Sequence, residues 1–206
     1  MFRLAFPLLL AATTVAAPSV AQTLSVDEIR ALVTERVSEK DEYRALLQDE
    51  DPERSLAAMQ IMLGSGDNDL QRMALEQGLF SPNPVVQRTA LQSFFASGAV
   101  LNVMLEPGEA KDNNYFQRNI ASWSGSIDAE GRGHLSLLTG EWDEASSCWL
   151  YRTSNGCFVR VSDANVMLNL WNSWWSMKLN ESGELTGSGS MPNVATAVTA
   201  VAPVAN

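Results

Sequence analysis

The chain predicts an α+β fold: antiparallel helical repeats, solenoid-like or a small bundle, followed by an antiparallel β barrel or sandwich of about seven short strands. Three observations predict it. Between residues 51 and 98 the sequence repeats every 16 positions. From about Arg118 the apolar period falls from helical to two. All six tryptophans lie after residue 120, in the alternating segment.

The N-terminus carries a different signature. Arg3 is positive, Leu4 to Ala17 is apolar but for Pro7 and two threonines, and Ser19-Val20-Ala21 sets small residues at the −3 and −1 positions of a cleavage site. Residues 1–21 therefore predict a signal peptide, and a periplasmic or secreted mature chain starting at Gln22. The apolar stretch falls short of the ~20 residues that span a bilayer. Val194 to Ala205 is shorter still and broken by Pro203, so no membrane span is expected after cleavage.

Of 206 residues, 24 are acidic and 14 basic, a net charge of −10. The excess is spread evenly: 13 acidic against 7 basic residues over 22–98, and 11 against 6 over 99–206. Without a basic cluster, such a surface repels phosphate backbones and anionic lipid, which disfavours nucleic acid as a partner.

The first helix opens on a capping box, Ser25 with Glu28, and on a staple between Leu24 and Ile29. Val26, Ile29, Val33 and Val37 trace an apolar face at helical spacing. A second helix is expected near Asp41 to Gln48. The repeats follow. Asp51, Asp67 and Asn83 stand at N-cap positions, and Pro52 and Pro84 follow two of them at N1, where a missing N–H does no harm. Ala58-Met59-Gln60, Ala74-Leu75-Glu76 and Ala90-Leu91-Gln92 recur at one offset, and Gly66 and Gly98 close turns 32 positions apart. A 16-residue unit holds a helix of about three turns and a short connection, so successive helices must reverse direction.

The run Ser81-Pro82-Asn83-Pro84-Val85-Val86-Gln87-Arg88-Thr89-Ala90-Leu91 resembles the HEAT-repeat pattern, and Asp67 to Leu75 resembles it more loosely. The resemblance spans residues 51–98, about a quarter of the chain, and implies a protein-interaction scaffold. Its three units are fewer than a long concave groove needs.

By composition, 22–98 is the helical region, 99–117 a linker, 118–192 the β domain and 193–206 a low-complexity tail, disordered or a loosely added edge strand. Two hairpins are expected in the β domain, Trp123–Ile127 with Gly133–Leu138 and Trp175–Leu179 with Glu184–Ser188. Each turns through Asp or Asn, two residues and Gly. Further strands are expected near 148–152, 157–161 and 166–171. Alternation points Trp175, Met177, Val166, Leu168 and Leu170 inward, and Trp171 and Trp174 outward.

The two cysteines, Cys148 and Cys157, predict a disulfide in an exported chain. Asn155-Gly156 is at the same time a strong type I′ hairpin signal, which would hold the cysteines roughly 20 Å apart. Oxidation on export favours the bond. Trp149 to Gly156 would then form a stiff loop displaying Trp149, Tyr151 and Arg152, or a staple with Trp149 tucked into the core. With Trp171 and Trp174, these residues are the candidate ligand contacts.

No catalytic set and no metal set is predicted, and no cofactor. His134 alternates onto a polar face. Glu141 and Asp143 flank Trp142 in the manner of a glycan hydrolase, or of an acidic loop. Asp67-Asn68-Asp69 lacks the glycine and distal glutamate of a calcium loop. Asn180-Glu181-Ser182 is a glycosylation sequon. The functional expectation is an exported binding protein with a protein partner or an extracytoplasmic glycan. The alternatives are a carbohydrate-binding module built on exposed tryptophans and a glycan hydrolase.

Overall fold

The computed structural model describes residues 24–162 and 165–204. The expected signal peptide lies outside the described residues. The chain divides into two compact units, 1–41 and 42–206.

Helix α1, Val26–Leu47, runs across that division. Its capping box forms: Glu28 N–H donates to Ser25 Oγ at 3.2 Å, and Ser25 N–H to Glu28 Oε2 at 2.7 Å. The bond from the Ser25 backbone, then that from its hydroxyl, holds the Glu28 carboxyl below its usual pKa. The expected second helix is the continuation of α1, because Glu39-Lys40-Asp41-Glu42 contains no helix breaker. The stripe Val26, Ile29, Val33 and Val37 lies exposed, a correction to the core-facing role its spacing suggests. Within the first unit α1 is the one described element.

The second unit opens with the repeats: α2 Pro52–Leu63, α3 Asn68–Leu79 and α4 Pro84–Ala96. Asp51, Asp67 and Asn83 each accept the N–H two residues on, at 2.8–2.9 Å. The repeat also governs contacts between helices. Ser55 Oγ donates to the Leu47 carbonyl at 2.6 Å, Gln71 Nε2 to Leu63 at 3.0 Å and Gln87 Nε2 to Leu79 at 3.0 Å. In each case a side chain in the first turn of a helix satisfies an orphan carbonyl at the end of the preceding one. Gly66 and Gly98 take the left-handed conformation at their turns. The helices meet closely at Gly78, where an added Cβ would stand 2.6 Å from Met59 Sδ and 2.7 Å from Ala90 Cβ.

Among the described residues nine strands follow: β1 Val100–Glu106, β2 Ser126–Ile127, β3 Gly133–Asp143, β4 Cys148–Tyr151, β5 Cys157–Ser162, β6 Asn165–Leu170, β7 Ser173–Leu179, β8 Glu184–Gly189 and β9 Val198–Pro203. Each pairs antiparallel with its neighbours, and β1 pairs with both β3 and β9, so eight of them close into a barrel. The two-residue β2 is appended to the start of β3.

Both segments that flank the expected β domain are therefore staves of the barrel. The expected linker contains β1, whose Leu101, Val103 and Leu105 are buried at alternate positions, and the start of helix α5, Asn114–Ser122, which runs on into the expected β domain. Asn113 caps α5 by accepting from Tyr115 N–H at 2.8 Å, and Phe116 and Ile120, one turn apart, bury its inner face. The expected strand from Trp123 shrinks accordingly to Ser126–Ile127. The low-complexity tail contains β9, paired on both sides; its Val198, Ala200 and Ala202 are small enough for a barrel interior and alternate into it.

Trp175, Met177, Val166, Leu168 and Leu170 are fully buried. The Trp175 ring lies against Gly189, where any Cβ would collide with it. The two four-residue turns have one construction. Asp128 Oδ1 accepts from the N–H groups of Glu130 and Arg132, Asn180 Oδ1 from those of Ser182 and Glu184, and Gly131 and Gly183 follow with positive φ.

Candidate functional site

Antiparallel pairing brings three connections to one end of the barrel: the α5–β2 segment, the β4–β5 loop and the β6–β7 turn. A cavity of about 630 Å³ opens among them.

Its first wall is Trp123, the residue that ends α5. Ser124, next in the chain, has φ 58°, which turns the backbone sharply toward β2. The second is Tyr151 at the end of β4, stacked on buried Phe158 with ring centroids 4.5 Å apart. Trp123 and Tyr151 meet edge to face, 5.5 Å apart at 83°. The Tyr151 hydroxyl donates to the Asn169 carbonyl. Burial holds its pKa well above that of an ordinary phenol, so it acts as a donor and not as a base.

The β6–β7 turn is Trp171-Asn172, with φ 51° and 59°, between paired Leu170 and Ser173. Two consecutive left-handed residues make the type I′ loop that suits twisted strands. Asn172 tolerates this conformation; for a residue as bulky as Trp171 it is strained. Trp171 packs at 4.9 Å from Trp123 and 6.1 Å from Trp175, linking the cavity wall to the barrel core.

Polar groups complete the lining. Ser136 Oγ donates to Asn102 Oδ1 at 2.8 Å, and Asn169 Nδ2 to the Cys157 carbonyl at 3.0 Å. Asn169 Oδ1 is buried and has no partner among the described residues. Ser154 and Asn172 stand at the mouth with Ser122 and Thr153, and no residue of the lining carries a formal charge.

The disulfide Cys148–Cys157 is present, Cα atoms 5.8 Å apart, and one wall of the cavity includes Cys157. Sequence spacing set this bond against a β4–β5 hairpin, yet both exist. The turn is not Asn155-Gly156, since neither has a positive φ, and the pairing slips between Trp149↔Val159 and Leu150↔Cys157. The chain instead turns through residues 152–156, closed by the Tyr151 N–H to the Gly156 carbonyl, so Leu150 faces Cys157 and Cys148 lies two positions along rather than six. Trp149 to Tyr151 are accordingly strand and not displayed loop.

The candidate ligand contacts part company. Tyr151 lines the cavity and Trp171 braces it. Trp149 is 6 % exposed, packed between Phe95 of α4 and Trp142. Arg152 is exposed beside the cavity without lining it. Trp174 lies under the Arg160 guanidinium, 4.7 Å from its ring centroid. Trp123, read from sequence as the start of a strand, is the wall that residue pattern missed; the Asn113 cap and the Phe116/Ile120 spacing are unused signals of the helix that precedes it.

The other candidates have structural duties. His134 Nε2 and Arg132 Nε both reach Asp128 Oδ2, at 2.8 and 2.7 Å. The His134 bond, then those from Arg132, holds the Asp128 carboxyl far below its usual pKa. Asp143 Oδ2 accepts from Ser146 N–H at 2.9 Å in the β3–β4 turn, while Glu141 is exposed. Asp67 caps α3, and Asp69 pairs with Arg72 at 3.3 Å. Among the described residues no group of three or more His, Cys, Asp and Glu could hold a metal, and no described helix is long and apolar enough to cross a membrane. No protein-family model, curated protein or solved structure matches this chain.

Proposed function

We propose that this is an exported, non-catalytic binding protein. The barrel-end cavity takes a small uncharged ligand, and the helical repeats offer a surface to a protein partner. One observation carries the reading: the lining combines Trp123 and Tyr151 with hydroxyl and amide groups and no charge. Ligand sites have this make-up, apolar walls with a few polar groups to orient what enters, and ~300–1,000 Å³ of space. The Cys148–Cys157 bond supports export, since disulfides persist in oxidising compartments.

The test is thermal melting of the mature chain against a broad library of uncharged small molecules. At least one compound is expected to raise the Tm of the wild type but not of Ser154→Trp, which fills the cavity from an exposed loop. Equal responses from both proteins, or no response at all, would overturn the proposal.

A further inference from the structure

The chemistry of the cavity narrows its ligand. An ionised ligand would lose hydration in a lining that offers no countercharge, and an anion would also face a net charge of −10. A purely apolar ligand would cover the Thr153 and Ser154 hydroxyls and the Asn172 amide with hydrocarbon and strip them of water. A flat heteroaromatic base is best held between parallel rings, whereas Trp123 and Tyr151 meet at 83° and form no such clamp. What remains is a ligand with an apolar face, a rim of hydroxyls and no charge.

We infer, on the footing of that binding role, that the cavity binds a neutral saccharide, with the C–H face of one sugar ring on Trp123 and its hydroxyls on Asn172 and Ser136. Two polar groups suit such a rim, while Asn169, its Oδ1 closed to solvent and its Nδ2 held by the Cys157 carbonyl, shapes the wall. The Ser136 hydroxyl gives its proton to Asn102, so its oxygen is left to accept. The Asn172 amide stands at the mouth on a two-residue turn that fixes its backbone. Trp171, braced between Trp123 and Trp175, keeps the stacking wall from turning when the cavity is empty. Such preorganisation spares the ordering entropy that binding would otherwise cost.

The experiment is isothermal titration calorimetry on the mature chain. The probes are cellotriose, maltotriose, mannotriose, xylotriose and chitotriose, with adenosine, uridine and an apolar fluorescent dye as rival classes. At least one trisaccharide is expected to bind and to shift tryptophan emission. Trp123→Ala should weaken it by roughly tenfold or more, the loss of about one stacking contact. Trp174→Ala, outside the cavity, should leave it unchanged. Asn172→Gly keeps the left-handed turn and removes only the amide; it should bind several-fold more weakly at unchanged Tm, which decides the matter even if Trp123→Ala does not fold.

Saccharide binding that survives Trp123→Ala and Asn172→Gly alike would place the sugar elsewhere and overturn the inference. Binding of a nucleoside or the dye, lost in Ser154→Trp, with no trisaccharide bound, would overturn the saccharide while the binding role stands. No binding by any probe in calorimetry, with no compound in the melting library, would remove both.

Discussion

The Gln71 side-chain amide donates to the Leu63 carbonyl at 3.0 Å, and sixteen positions on Gln87 does the same to Leu79. Ser55, sixteen positions before Gln71, makes the equivalent bond to Leu47 through a hydroxyl. The sequence period is thus a period of helix-to-helix stitches, each tying the first turn of one helix to the last carbonyls of its predecessor. The same register fixes the connections, since Asp49, Ser65 and Ser81 each accept the N–H of the capping residue two positions later.

Gln71→Ala should therefore destabilise the chain by about 1 kcal/mol, the net worth of one partly buried hydrogen bond. Urea unfolding measures it. A midpoint equal to the wild type would show the stitch to be incidental to stability.

Gly78→Ala should be more damaging. The new methyl would meet both Met59 and Ala90, one on each flanking helix, and neither helix can yield without disturbing the other. Overpacking of this kind costs about 1–3 kcal/mol. Thermal melts alongside Met59→Ala, and the double variant, separate the two contacts: relief of the Gly78→Ala defect by Met59→Ala is expected if the sulfur is the main obstacle.

Loss of the Cys148–Cys157 bond should lower stability by about 2–3 kcal/mol, because it releases a short loop of sequence separation 9 in the unfolded chain. Mass measurement before and after reductant should show a gain of two hydrogens. Denaturant curves of the Cys148→Ser/Cys157→Ser chain give the energy. Retention of full stability would mean that the bulged hairpin holds itself.

Acid should weaken the β2–β3 turn through Asp128. Its folded-state pKa lies below the usual 3.8, through the His134 bond first and then the Arg132 bonds. A depressed carboxylate contributes stability that is present above the unfolded pKa and lost as pH falls through the folded one. Asp128→Asn should therefore be less stable than wild type at pH 7, and the gap should narrow as both are melted at successively lower pH below about 4. A gap that stays constant down to pH 2 would rule out the linkage.

The repeat helices were open to sequence reading because their determinants are local. Caps, N1 prolines and the recurring alanine each act within one turn, and they place α2, α3 and α4 within a residue or two. The inward faces of β6 and β7 were legible for the same reason, since alternation is a local signal. What escaped depends on partners far away in sequence. β1 and β9 read as linker and tail because their partners are remote: Val100–Glu106 pairs with β3 and β9, and Val198–Pro203 closes the ring between β8 and β1. The disulfide and the hairpin looked incompatible because Asn155-Gly156 read as the turn, whereas the loop spans residues 152–156 and brings Leu150 opposite Cys157. Trp123 joined the site through α5, and of the two readings of Trp149, displayed or tucked into the core, its contact with Phe95 of a helix more than fifty positions earlier selects the second.

The seam between β1 and β9 has a consequence for biosynthesis. Met104 pairs with Val201, so the first strand to leave the ribosome waits for the last before the ring is complete. Over that interval the nascent sheet has two raw hydrogen-bonding rims, β1 on one side and β8 on the other. Those rims attract other unfinished chains, and helper proteins that guard against such pairing would act on this stage. A clipped C-terminus that removes Val198–Pro203 would make the exposure permanent and turn a closed ring into a template for aggregation.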